Sequence, residues 1–250
     1  MLFTPMSIQP SPLNTPNPKQ NRLLAILPES ESERLVSHME LVALPIGEAL
    51  YASGSRSNHV YFPTTAIVSL LHVLGNGASA EIAMVGNMGI VGVALFLGGD
   101  TILNRAVVRN AGQAYRLEVK LLQKEFNRVG ALHHSLLRYT LALMSQIAQI
   151  AVCNRFHTVD QQLCRWLLLN LDRLPANELS MTQEQISSML GVSRERVTAV
   201  AGKLQRAGLI HYSRGRIIVL NRPGLEARVC ECYNIVRGEF CRLLPDVAAE

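Results

Sequence analysis

Between Ala131 and Phe156 the chain contains neither proline nor glycine, whereas the stretch from Leu41 to Glu118 is broken repeatedly by Gly, Pro and Asn. That contrast dictates one long helix preceded by a domain of short strands. Within the unbroken stretch Leu136, Thr140, Leu143, Ile147, Ile150 and Asn154 recur at steps of 4, 3, 4, 3 and 4, a heptad seam. Such a seam serves either a helix packing against its own copy or an ordinary core helix. Polar Thr140 and Asn154 on the seam suit register-setting positions of a dimer better than a dry core. A second helix, about Val159 to Leu174, follows and ends before Pro175.

The punctuated region reads as strands at Leu41–Leu44, Ala49–Ala52, Val60–Phe62, Ala66–Leu74, Ser79–Met84, Arg105–Val108 and Ala114–Leu117. Gly75-Asn76-Gly77 supplies an Asn-Gly hairpin signal, since both residues tolerate positive φ. Many short strands with closely spaced turns imply an antiparallel sandwich or roll. Before them, short helices are expected around Asn21–Leu27 and Ser30–His38. Residues 1–20, with Pro5, Pro10, Pro12, Pro16 and Pro18 among Ser, Asn and Thr, read as a disordered arm without the basic start and apolar core of a secretory signal.

At 48% apolar and 17% charged residues, the chain can bury a sizeable core and is not wholly disordered. Its longest weakly interrupted apolar run, Met88 to Leu97, falls short of the ~18 residues of a membrane span, so no membrane partner is expected. Five scattered cysteines (Cys153, Cys164, Cys230, Cys232, Cys241) form no disulfide framework and point to the cytoplasm.

The net charge of +5 is concentrated. Between Ser180 and Arg222 lie seven basic residues and two acidic ones, leaving the remainder neutral. A whole chain's excess charge in one segment suggests a polyanion site. The same segment is punctuated as two helices and a hairpin. Thr182-Gln183-Glu184-Gln185 fits a capping box; Gly191 marks a turn; Ser193 caps a second helix from Arg194 to about Ala207, closed by Gly208. Two short helices joined by a tight Gly turn make a helix-turn-helix. Leu209–Tyr212 and Ile217–Leu220 then flank Ser213-Arg214-Gly215-Arg216, a basic-tipped wing. On the second helix Val197, Val200, Ala201 and Leu204 share the core face, and Glu195, Ala199, Gly202 and Arg206 lie opposite. An interior Gly costs ~1 kcal/mol on a merely solvated helix; on a helix lying in a groove, small residues permit close approach.

Gly191-Val192-Ser193-Arg194-Glu195-Arg196-Val197-Thr198, followed by Lys203-Leu204-Gln205-Arg206-Ala207-Gly208-Leu209-Ile210, resembles the C-terminal domain of the Crp/Fnr superfamily of bacterial transcription regulators. The resemblance implies an α+β chain: an antiparallel, cyclic-nucleotide-binding-like β-roll sensor (21–130), a long dimerisation helix (131–157), a winged helix-turn-helix (158–224) and a C-terminal helical extension (225–250). It implies a cytoplasmic homodimer on a palindromic operator of double-stranded DNA, with RNA polymerase as a further partner and no enzymatic activity. Arg194 and Glu195 match the family's base-reading pair, an Arg that forks onto guanine and a Glu that accepts from cytosine N4. Thr198 is assigned to a thymine methyl or a phosphate, and Arg196, Lys203, Arg214 and Arg216 to phosphates. Thr182 and Ser193 stand at helix starts against the backbone. Ala199 replaces a further Arg common in the family, so the operator sequence is left open.

The resemblance places the sensor's effector pocket at Gly92, Val93, Arg105 and Ala106. Val93 stands where cyclic-nucleotide-binding members carry a ribose-binding Glu, and Ile147-Ala148 where they carry a Thr-Ser pair. Losing those polar partners argues against cAMP. The family's iron–sulfur branch needs an N-terminal cysteine cluster, which this chain lacks. His59, His72, His133 and His134 read as surface groups rather than haem ligands. Cys230 and Cys232, taken as one helix, would point their sulfurs ~200° apart and read with Cys241 as buried apolar groups, so no metal or cofactor is expected. A ligand-binding or redox-sensing module with decayed DNA binding is the alternative.

Overall fold

The computed structural model describes residues 17–99, 101–174 and 177–244; most of the proline-rich arm lies outside the described residues. In chain order the elements are α1 Arg22–Ala25, α2 Glu29–Val36, β1 Glu40–Leu44, β2 Ala49–Tyr51, β3 His59–Pro63, β4 Ile67–Val73 and β5 Ser79–Val85. Then come α3 Val93–Phe96, β6 Arg105–Asn110, β7 Gly112–Glu118, α4 Val119–Phe126, α5 Ala131–Phe156 and α6 Val159–Leu171. The C-terminal part holds β8 Glu178–Ser180, α7 Gln183–Leu190, α8 Arg194–Arg206, β9 Ile210–Ser213, β10 Arg216–Val219, α9 Arg222–Glu226 and α10 Cys232–Leu243.

Seven strands form two antiparallel sheets, ordered β1-β7-β3 and β2-β6-β4-β5, which enclose Leu44, Phe62, Val68, Val108 and Leu117, all at most 2% exposed. The β4–β5 connection differs from the expected two-residue turn. Of its residues Gly77 has φ +84 while Asn76 is not in the left-handed region. Leu74 N–H donates to Ala78 O at 2.8 Å, and Asn76 Oδ1 accepts from the Ala78 amide at 3.0 Å. The outcome is a three-residue loop with one left-handed glycine, which fits the right-handed strand twist equally well.

The long helix runs over the full glycine-free stretch because both ends are defined. Glu31, on α2, accepts from the amides of Ala131 and Leu132 at 2.9 Å each, placing a carboxylate on the orphan donors of the helix start. At the other end the chain turns extended at His157, and Thr158 and Gln161 form a reciprocal capping box that opens α6. Helix α5 is also, by length and composition, apolar enough to cross a membrane, with a mean hydropathy of 1.3 over its best window. Ser145, Gln146 and Gln149 interrupt its apolar residues, so run length alone does not reveal this. In the fold its apolar surface is divided between the roll and α10: Tyr139 meets the ring of Phe240 with centroids 6.3 Å apart, and a Cβ on Gly89 would collide with the Tyr139 ring.

This division splits the expected seam. Leu136, Leu143 and Ile150 are 0%, 6% and 5% exposed within the chain itself, covered by its own fold. Thr140 and Ile147 are half-buried and Asn154 is exposed. The exposed apolar residues of α5 are Leu137, Leu141, Met144, Val152 and Phe156, a stripe displaced by about one residue from the periodicity read in the sequence. Heptad spacing identifies a face of constant character but not which neighbour it meets, and this helix carries two such faces.

Candidate nucleic-acid interface

Helix α7 starts where the sequence pattern requires. Thr182 N–H donates to Gln185 Oε1 at 2.8 Å, and Gln185 N–H donates to Thr182 Oγ1 at 3.2 Å. It stops at Gly191, whose φ of +65 lets the chain reverse at little steric cost. Val192 and extended Ser193 lead into α8; Ser193 occupies the N-cap without a side-chain bond to the helix backbone. Val197, Val200, Ala201 and Leu204 are buried, matching the wheel assignment. Each buried Val or Leu contributes roughly 1.5–3 kcal/mol, which fixes the rotation of the helix about its axis.

That rotation exposes Arg194, Glu195, Arg196, Thr198, Ala199, Lys203 and Arg206. Hydrogen bonds from its own amide and from the Ser193 hydroxyl hold the Glu195 carboxyl below the usual range, so it is an anion and acceptor at neutral pH. The Thr198 hydroxyl lies 2.9 Å from Gln183 Oε1 and 2.9 Å from the Arg194 carbonyl, tying α8 to the first turn of α7. Gly202 leaves open space: a Cβ there would meet only Arg206 Nη1, at 3.5 Å.

The wing is a two-residue turn, Arg214 (φ +49) and Gly215 (φ +78), with both residues left-handed as a type I′ hairpin demands. It is wider than expected, because β8 pairs with β10 to make a three-stranded sheet. Tyr212 locks it to the helices: its amide donates to Gln205 Oε1 at 2.8 Å and its hydroxyl to Met181 O at 2.9 Å. Arg216 is not free. Its guanidinium pairs with Glu178 of β8, Nε to Oε1 at 2.6 Å. Arg222 likewise serves the fold, bridging Asp172 and Glu226. Among the described residues Arg194, Arg196, Lys203, Arg206 and Arg214 make no ion pair. Five exposed, unneutralised cations thus lie on one helix and the wing tip beside it. Gln183, Gln205 and Glu178, which position this surface, were not singled out from the sequence; their neutral or exposed side chains carry no pattern there.

The expected effector residues are separated. Gly92 and Val93 line a cavity of about 360 Å3 between the roll and α5, together with Tyr51, Ile102, Thr140 and Ile147. Arg105 is exposed at the start of β6, and Ala106 is buried at 0% exposure in the roll core; neither lines the cavity. No charged residue is among the described residues of its wall. Gly92 is held at φ +109 with Tyr51 Oη only 2.9 Å from where a Cβ would stand. His133 and His134 bond locally, their Nδ1 atoms 2.9 Å from the carbonyls of Phe126 and Gly130.

Cys230 and Cys232 do not stand on one helix. Cys230 precedes α10 in an irregular turn, so helical spacing does not apply between them. Both are buried, whereas Cys241 is half-exposed and distant from them in sequence on α10.

Residues 161–228 match the model of the Crp-like helix-turn-helix domain. A search of curated proteins finds no match. Among solved structures, a Crp/Fnr-family protein from Eubacterium rectale superposes with a TM-score of 0.65 at 14% identity, over 84% of this chain and 98% of that one. FixK2 from Bradyrhizobium japonicum gives 0.64 at 17% identity, over 77% and 98%. A Crp/Fnr-family transcriptional regulator from Thermus thermophilus gives 0.58 at 21% identity, over 75% and 97%. The chain carries a Crp-like helix-turn-helix domain within the fold of the Crp/Fnr transcription regulators.

Proposed function

We propose that this chain is a homodimeric, sequence-specific DNA-binding transcription regulator acting in the cytoplasm, with α8 reading the major groove of a palindromic operator. The observation that carries it is the unneutralised cationic face of α8 and the wing tip, set on a rigid helix-turn-helix with small Ala199 and Gly202 at its middle. Arg194 and Glu195 read base edges; Arg196, Lys203 and Arg214 bind phosphates. Arg216 contributes its charge only in exchange for Glu178. Thr198, exposed, positions α8 on α7 through its hydroxyl, while Thr182 and Ser193 present helix starts to the backbone. The partner copy docks on α5 through Leu137, Leu141 and Met144, with Thr140, Ile147 and Asn154 at the margin. RNA polymerase is the further partner, and catalysis is no part of this reading. A cavity wall with no charged group among its described residues favours an apolar or neutral effector over cAMP, whose phosphate needs a paired cation.

Selection from random duplex DNA by the full chain, at two salt concentrations and with or without cAMP, tests this reading. An enriched palindrome with half-site centres about 34–36 Å apart, independent of cAMP, is expected. Binding without enrichment that vanishes as salt rises would mark a nonspecific polyanion binder and overturn it.

A further inference from the structure

We propose that Cys153, His157, Cys230 and Cys232 form a closed tetrahedral site for a single thiolate-preferring divalent cation, zinc by its chemistry, at the junction of α5 with the C-terminal segment. Cys153 stands in the last turn of α5, and His157 is the residue that caps that helix, its amide still donating to the Cys153 carbonyl at 3.0 Å, which keeps the two residues together. Cys230 and Cys232 reach the same point from the turn that opens α10. The four donor atoms all lie within 4.8 Å of one another.

The spacing suits one small ion. Tetrahedral zinc with Zn–S of about 2.3 Å and Zn–N of about 2.0 Å sets sulfurs about 3.8 Å apart and sulfur to nitrogen about 3.5 Å. Here Cys153 Sγ and Cys230 Sγ are 3.6 Å apart, and Cys232 Sγ is 3.4 Å from His157 Nδ1. A cubane iron–sulfur cluster places its own iron and sulfide atoms between the ligands and would hold the cysteine sulfurs farther apart.

Supporting groups are in place. His157 Nε2 lies 3.3 Å from Glu231 Oε1; donation of that N–H fixes the tautomer in which the Nδ1 lone pair faces the sulfurs, the carboxylate–histidine arrangement of zinc sites. Gln149 donates its amide N–H to Cys232 Sγ at 3.1 Å. The three thiols form a small buried cluster of their own, apart from the main core, and an apolar role alone does not account for a histidine whose Nδ1 faces it while a carboxylate holds the Nε2.

On binding, each cysteine loses its thiol proton, three protons leave for solvent, and three S–Zn bonds and one N–Zn bond form. With four protein ligands there is no open position, so the ion is structural. It clamps the end of α5, just before the α5–α6 bend, to the segment that follows the winged domain.

The test is metal analysis of the full-length protein after exhaustive dialysis, followed by titration with a mercurial that modifies thiols. One equivalent of zinc per chain is expected, released in step with modification of three cysteines. Cobalt substitution should give the visible bands of a tetrahedral thiolate site. Cys153→Ser and Cys230→Ser should each lose the metal, and Cys241→Ser should retain the full equivalent. Absence of bound metal, iron accompanied by sulfide, or a full equivalent of zinc in both Cys153→Ser and Cys230→Ser would each overturn the assignment. The mercurial release uses the wild-type chain and decides the matter even if the serine variants do not fold.

Discussion

The hydroxyl of Thr198, on α8, lies 2.9 Å from the side-chain oxygen of Gln183, on α7, so the two helices of the helix-turn-helix are joined by a polar link as well as by their core. The bond is exposed, and a net ~0.5–1.5 kcal/mol is the expected scale. Thr198→Val should lower stability by about that amount in urea unfolding, and Gln183→Ala should add little once Thr198 is gone. Additive losses would mean that the contact carries no coupling.

Glu195 and Lys203 share the exposed face of α8 but differ in task. Glu195→Ala is expected to relax preference at one base pair per half-site, at a cost of about 1–3 kcal/mol. Lys203→Ala should weaken specific and random DNA alike and reduce the slope of log K against log salt by about one per contact. Parallel specific-versus-random titrations of both variants separate the two roles.

Adjacent positions on α5 distinguish its two faces. Leu137→Glu, on the exposed stripe, should shift sedimentation to the monomer and make the melting temperature independent of protein concentration, without loss of the chain's own core. Leu136→Ala, in the core, should cost about 2–5 kcal/mol without a specific effect on association. The reverse pattern would restore the seam first read from the sequence.

Burial raises the Glu81 carboxyl above its usual range, partly offset by a bond from Ser69 and by facing Arg109 and Arg165. The native state therefore holds a proton that the unfolded chain releases. This contribution is fully present below the unfolded pKa of about 4.3 and is lost as pH rises toward the folded value. The stability of the wild type relative to Glu81→Gln should fall as pH is raised above that point, read from paired thermal melts. A difference constant with pH would show that Glu81 is ionised in both states.

The local signals were legible because each rests on near-neighbour chemistry: the Thr182–Gln185 box, Gly191, Gly208 and the wing turn at Arg214-Gly215 all stand where the residues required. What escaped was long-range. Strand β8 is three residues long and pairs only with β10, some forty positions away in sequence. The face of α5 turned to the roll is decided by Tyr139 against Gly89, fifty positions apart in sequence. The convergence of Cys153 and His157 with Cys230 and Cys232 was not read from the sequence, because Cys230 and Cys232 were treated as one helix and His157 lies just past the end of another. It depended on where the chain returns after the winged domain.

Met144 is 61% exposed and also lines the cavity beside Thr140, Leu143 and Ile147. If a second copy packs on that stripe, whatever fills the cavity touches a side chain that the second copy also touches. Ligand affinity and self-association then become reciprocal quantities: a titration in dilute protein and one in concentrated protein would return different constants, and their ratio would measure the coupling directly.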